Sequence, residues 1–255
     1  METSSPSRHV VQTEIKLLWS LSAGRCAFPG CRQECVASAT AADPAKPLGE
    51  QAHIVAHSNA GPRGDPSYPE SKRATYDNLI LLCPTHHTQV DKQPNSFTVA
   101  DLRTWKSTHE RWVRDQLGRA VSDITFAELE QVCRFLLLPA STPTLNFQVI
   151  PPPAKMKRNG ISPRMEPHLR LGIGGAQQVE RYVDHLAAID EDFPERLKAG
   201  FLREYKLRHD QGERGDALFT SLVRFAQGGD NSLERQAAGL AVLGYLFMTC
   251  EVFES

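Results

Sequence analysis

Two pairs of metal-ligand residues constrain this chain more than any other feature. Cys26-Ala-Phe-Pro-Gly-Cys31 and Cys83-Pro-Thr-His86 each have the spacing of a zinc half-site, and a tetrahedral zinc takes four such soft or borderline donors. If one ion joins them, the long stretch between must fold as an insertion threaded between the half-sites. Cys35 is an alternative ligand, since Cys31 and Cys35 also lie close in sequence. The Phe-Pro-Gly between Cys26 and Cys31 makes a tight turn and favours that pair.

The threaded stretch has its own pattern. Residues 50–56 read as a strand, with β-branched Ile54 and Val55. Residues 58–75 are a polar Gly/Pro/Ser-rich loop. Asn78-Leu-Ile-Leu-Leu-Cys83 reads as a second strand, and the helix after it carries His86, His87 and Asp91. Adjacent helical residues point about 100° apart, so His86 can face a zinc while His87 faces elsewhere. His53 lies on the first strand. A neutral histidine suits the activation of water near pH 7.

Taken together, Ala52-His53-Ile54-x-x-His57, Gly61-Pro-Arg63-Gly-Asp65, Asn78 and His86-His87-x-x-x-Asp91 resemble an HNH endonuclease domain of the kind found in bacterial anti-phage effectors. The resemblance spans about residues 15–115. It implies a small zinc-pinned ββα-metal fold that cuts DNA. It further implies His53 as general base, Asn78 as the residue that orients the strand and loop, and His87 as ligand of a catalytic Mg²⁺ or Mn²⁺. Cys26, Cys31, Cys83 and His86 would then hold a structural Zn²⁺.

One position departs from the family pattern. Many HNH nucleases carry Asp or His immediately before the base, where it binds the metal; here that residue is Ala52. Glu50, His57, Asp91, or further water and phosphate oxygens are the alternatives. Strand residues i and i+3 face opposite sides, which argues against Glu50 sharing a face with His53. Asp91, four residues after His87 on one helical face, reads either as a ligand or as a group that orients a histidine. Arg63 reads as a phosphate clamp, since guanidinium pairs bidentately with phosphate oxygens.

The rest of the chain is helical in pattern. Residues 10–23 form a short amphipathic helix ending at Gly24. Residues 99–118 form a longer one, with Leu102, Trp105, Trp112, Val113 and Leu117 on one face. Thr125-Phe-Ala-Glu128 reads as a capping box. The prolines of 139–169, among them Pro139, Pro143, Pro151 to Pro153, Pro163 and Pro167, remove backbone donors and mark a linker rather than a regular helix. Lys155, Lys157, Arg158 and Arg164 read as a solvated basic cluster within it. Beyond it come stripes through Val179 to Ile189, Leu202 to Leu207 and Leu218 to Phe225, and a nearly all-apolar helix over 237–253. Gly172-x-Gly174-Gly175 reads as a turn, because it lacks the Lys-Ser/Thr ending of a phosphate loop.

The expected fold class is therefore α+β: an HNH nuclease domain over 1–120, a connecting helix at 121–138, a Pro-rich linker at 139–169 and an all-α domain over 170–255. Short patterns in that last region resemble the C-terminal domain of ABC three-component system effectors. That resemblance implies docking to a middle component and an ABC-type ATPase. A homodimer is expected if both DNA strands are cut.

Charge narrows the partners. Residues 1–120 carry 14 Lys/Arg against 12 Asp/Glu, and 121–255 carry 15 against 18. Neither half is a basic nucleic-acid glove, so DNA contact has to come from a local patch and a metal. No apolar run reaches the roughly 20 residues of a membrane span, and the N-terminus lacks the basic-then-apolar pattern of a signal peptide. The six cysteines read as thiolate ligands and buried thiols in a reducing cytoplasm. A second class of function stays open: a zinc-containing nucleic-acid-binding module with weak or lost catalysis, for which Ala52 speaks.

Overall fold

The computed structural model describes residues 10–38, 40, 42–137, 152–228, 230–249 and 253. The chain divides into two compact units, residues 1–113 and 114–255. The division falls inside a helix rather than at residue 120.

In the first unit, α1 (Gln12–Leu21) buries Leu17, Leu18, Trp19 and Leu21. It ends where Ala23 and Gly24 turn left-handed, at φ 50° and 62°. The Gly24 amide donates back to Trp19 O at 3.0 Å, a glycine stop at the place the sequence indicates. Two short strands, β1 (Val36–Ala37) and β2 (Lys46–Pro47), pair antiparallel. The hairpin that positions the site is β3 (Glu50–His53) against β4 (Leu79–Leu82), antiparallel, with Glu50 opposite Leu82 and His53 opposite Leu79. All four β4 residues are buried. Such an unalternating apolar run belongs to a strand covered on both faces, and α1 packs on it together with α2 (Pro84–Lys92). The first strand stops at His53, shorter than the sequence suggests, because Ile54 and Val55 turn to bond Asn78.

The long α3 (Val99–Ser122) buries Leu102 and Val113 in the first unit, with Trp105 and Trp112 half-buried. Its buried row also includes His109, fully buried, which the apolar pattern does not reveal. His109 Nδ1 accepts from the Arg32 guanidinium, and its Nε2–H donates to Ser22 O at 3.1 Å. Arg32 lies over the Trp112 ring, 4.7 Å from its centroid. Burial pushes the His109 pKa down to about 4, so the ring is neutral and bridges two segments around the Cys26–Cys31 turn.

In the second unit the described residues form only helices: the end of α3, then α4 (Phe126–Leu136), α5 (Pro152–Arg158), α6 (Glu166–Gly174), α7 (Ala176–Ala187), α8 (Phe193–Asp210), α9 (Gly215–Ala226) and α10 (Leu233–Thr249). The Thr125–Glu128 capping box forms at the start of α4. Helix α10 is buried almost all round and packs against α4, α6, α7 and α9. Its closest neighbour is α6. A Cβ at Gly172 would come within 2.3 Å of Leu240 O, and one at Gly175 within 2.7 Å of the Ala241 Cβ. In the Gly172-x-Gly174-Gly175 run, Gly175 forms the expected turn, between α6 and α7, while Gly172 lies inside α6, and both approach α10 closely.

Several sequence expectations meet the structure differently here. The segment 121–138, expected as a connecting helix, contains α4, which packs on α8, α9 and α10 within the second unit. The Pro-rich stretch is not all linker: residues 138–151, with Pro139, Pro143 and Pro151, lie outside the described residues, but Pro152 and Pro153 open α5 and Pro167 sits in the first turn of α6. Proline is suited to a helix's first turn, where its missing N–H has no partner to lose. Lys155 is fully buried, its Nζ 5.2 Å from the Phe247 ring centroid, and so does not belong to a solvated cluster. Ile189 and Leu207, read as stripe residues, are exposed, Ile189 because α7 has already ended. Cys250 lies outside the described residues. No helix among the described residues is long and apolar enough to cross a membrane.

Candidate metal centre and nuclease site

The two Cys/His half-sites meet. The donor atoms of Cys26, Cys31, Cys83 and His86 all lie within 4.8 Å of one another. His86 Nδ1 stands 3.1 Å from Cys83 Sγ and 3.6 Å from Cys26 Sγ. Zinc–ligand bonds of about 2.0–2.3 Å in a tetrahedron put donors roughly 3.5–3.8 Å apart, so the quartet has the span of a zinc cage. Its backbone explains the spacing. The Cys31 amide donates to Phe28 O at 3.1 Å across a turn closed by Gly30 at φ +75°. The Ala27 amide donates to Leu81 O at 2.9 Å, which brings the first half-site onto β4, just ahead of the second. Phe28 stacks on the His86 ring at 3.9 Å and 6°. Burial pushes the Cys26 thiol well up, so a metal-free cage holds a thiol that a cation would convert to thiolate.

Cys35 is apart from this cluster. It is 1% exposed, its Sγ faces Gln33 O at 3.7 Å, and burial pushes it up to about 12.

On the hairpin and α2 stand the other singled-out residues. Asn78 is 1% exposed. Its Oδ1 accepts from Val55 N at 2.9 Å, and its Nδ2 donates to Val55 O at 2.8 Å and Arg73 O at 2.9 Å. It therefore ties the end of β3 to the start of β4. His53, at that same end, is half-buried, and its Nε2 is buried without a hydrogen-bond partner. Burial, then the neighbouring His57, holds its pKa below the ordinary value. The His57 ring lies edge-on to it, 5.8 Å between centroids.

His87 is bracketed by two carboxylates. Its Nδ1 contacts Glu50, and its Nε2 is 3.4 Å from Asp91 Oδ2. Asp91 foremost, then Glu50, raise its pKa against the opposing effect of burial. The side chains of Glu50, His87 and Asp91 are 46%, 26% and 35% exposed, so this cluster is open to solvent. Carboxylate oxygens and an imidazole with room for water suit a hard divalent ion such as Mg²⁺ or Mn²⁺.

Arg63 is the clearest correction. Its side chain is 3% exposed. Nε donates to Ile54 O at 3.0 Å, Nη1 to Val90 O at 2.6 Å, and Nη2 to His53 O at 3.2 Å and Asp91 Oδ1 at 2.6 Å. The guanidinium is consumed inside the protein and cannot clamp a phosphate. It pins the His53 backbone to the carboxylate beside His87. Arg73 does similar work in the same loop, donating to Ala56 O, to Asn59 Oδ1 at 2.8 Å and to Asp65 O at 2.6 Å. The loop over 58–75 is therefore organised round two buried cations, and its polar composition conceals this. A Cβ at Gly64 would fall 2.1 Å from Asn59 O, which accounts for glycine there.

Residues 26–97 match the family model described as HNH endonuclease (HNH_2). This stretch of the chain is an HNH endonuclease domain carrying a Cys/His cluster able to hold a metal. No curated protein matches the chain.

Proposed function

We propose that this chain is a metal-dependent endonuclease that hydrolyses DNA phosphodiester bonds, with His53 as general base and His87 as ligand of the catalytic ion. The observation that carries the reading is the Arg63 bridge: one guanidinium bonds both the His53 carbonyl and the Asp91 carboxylate beside His87, fixing base and ligand relative to each other. His53 is held neutral by burial and takes the proton from water as the water oxygen bonds to phosphorus. Asn78 keeps that histidine at the strand end. Asp91, anchored by Arg63, orients the His87 ring. When bound, Mg²⁺ or Mn²⁺ supplies charge relief on the scissile phosphate and stabilises the departing oxygen. Cys26, Cys31, Cys83 and His86 hold zinc and so lock the hairpin to the helix.

We read the helical unit as the part that answers to partners in a bacterial anti-phage system, a middle component and an ABC-type ATPase. Support comes from the short sequence patterns after residue 170. Among the described residues, no metal-ligating cluster lies in that unit. The alternative, a zinc-held binding module without catalysis, draws on Ala52. Incubation of supercoiled DNA with the zinc-loaded protein tests the reading. Nicking that needs added Mg²⁺ or Mn²⁺ supports it, and stimulation by the partner components supports gating. DNA retention without nicking, with partners present, favours the binding module.

A further inference from the structure

The residue before His53 is Ala52, fully buried and unable to bind a metal. Side chains of a strand alternate with period 2, so residues 50 and 52 project from the same face of β3. Glu50 and His53, three residues apart, project from opposite faces. Glu50 stands on the face from which residue 52 would project, one pleat further along, and its longer side chain reaches His87 Nδ1 on α2.

The two carboxylates round His87 are not equivalent. Asp91 Oδ1 is held by Arg63 at 2.6 Å, a largely buried guanidinium, while its Oδ2 faces His87 Nε2 at 3.4 Å. Asp91 is thus suited to accept the Nε2–H and fix the ring's tautomer. Nδ1 hydrogen-bonds Glu50, so with Asp91 holding the Nε2–H a divalent ion would take the place of the Nδ1 proton beside Glu50. Glu50 is the most exposed of the three, and no other hydrogen bond to a described side chain restrains it. It offers a hard anionic oxygen on the open side of the site, as a divalent ion that retains several waters requires.

From this geometry we infer that Glu50 replaces the ligand absent at Ala52, and that Glu50 and His87 Nδ1 together hold the catalytic divalent ion while Asp91 orients the ring. The inference rests on the metal-dependent reading above and names the missing member of its site.

The test is Mn²⁺ binding to the full zinc-loaded chain, followed by the loss of the free-ion electron paramagnetic resonance signal. The proteins are the parent, Glu50→Gln, Glu50→Ala, and Glu50→Ala combined with Ala52→Asp. Glutamine still offers an oxygen to a His87 N–H but lacks the carboxylate charge, so a merely positioning Glu50 would tolerate it. The expected result is Mn²⁺ affinity lower by about 10- to 100-fold in Glu50→Gln and Glu50→Ala, recovered when aspartate is placed at 52. Zinc content should be unchanged throughout. Parent-like Mn²⁺ affinity in Glu50→Gln overturns the inference and leaves the nuclease reading standing. A parent protein that binds no Mn²⁺ overturns both.

Discussion

Asn78 grips Val55 by both of its backbone groups, accepting from the amide at 2.9 Å and donating to the carbonyl at 2.8 Å. A side-chain amide is the one small group that both donates and accepts in a single plane, so it substitutes here for a strand partner where β3 ends. With the third bond to Arg73 O, Asn78→Ala leaves buried backbone groups unpaired, at a cost of about 2–4 kcal/mol. Asn78→Asp does not restore it, because a carboxylate has no N–H for the two carbonyls. Thermal denaturation checks the cost. Cleavage at a temperature where both variants are folded should fall with the displaced His53.

Arg63 separates structure from DNA contact. Arg63→Lys keeps the positive charge but cannot reproduce the fork of four bonds. With the charge kept and the Asp91 side chain 35% exposed, the cost is that of carbonyls left without their donors, about 1–3 kcal/mol. The melting of the first unit should shift accordingly, while DNA affinity of the folded fraction holds. Lower affinity with unchanged melting would restore the phosphate-clamp reading.

Zinc should stabilise one unit alone. Cys83→Ser, or removal of the ion by a chelator, should release zinc and melt residues 1–113, because the cage is what joins the knuckle turn to β4 and α2. The helical unit keeps its own core of α10 and its neighbours. Two-stage loss of helical circular dichroism is expected, with only the first stage sensitive to zinc.

Each unit also contains a histidine whose burial holds its pKa at about 4: His109 in the first and His168, 4% exposed, in the second. The folded pKa lies below the unfolded value of 6.5. Their neutral forms therefore impose no penalty above pH 6.5, and stability is lost as pH falls from there toward 4. Each such site is worth about 3 kcal/mol at the acid end. His109→Gln should lower stability at pH 7 yet flatten the slope between pH 6.5 and 5, measured by urea denaturation.

Much of the nuclease architecture is legible in residue order. The Cys/His spacings point to the cluster that forms, and the two apolar runs to the hairpin. What stays hidden depends on burial and on faces. Arg63 in a Gly/Pro-rich loop looks like a surface cation until the carbonyls of His53, Ile54 and Val90 surround it. His109 lies in an apolar helical row and gives no sign of the Arg32 contact from far along the chain. Glu50 is among the alternatives for Ala52 and is disfavoured by its spacing from His53, although the period-2 rule places it on the face of Ala52. Proline content misleads at Pro152 and Pro153, where the residues that break a helix interior start one instead.

The most direct test of the account is the rate of DNA nicking by His53→Ala beside the parent protein, at saturating Mg²⁺, with zinc content and folding verified in both. Removal of a general base costs about 10²- to 10⁴-fold, so the account predicts a fall of at least about 100-fold with the fold intact. Nicking at the parental rate by folded, zinc-replete His53→Ala would contradict it.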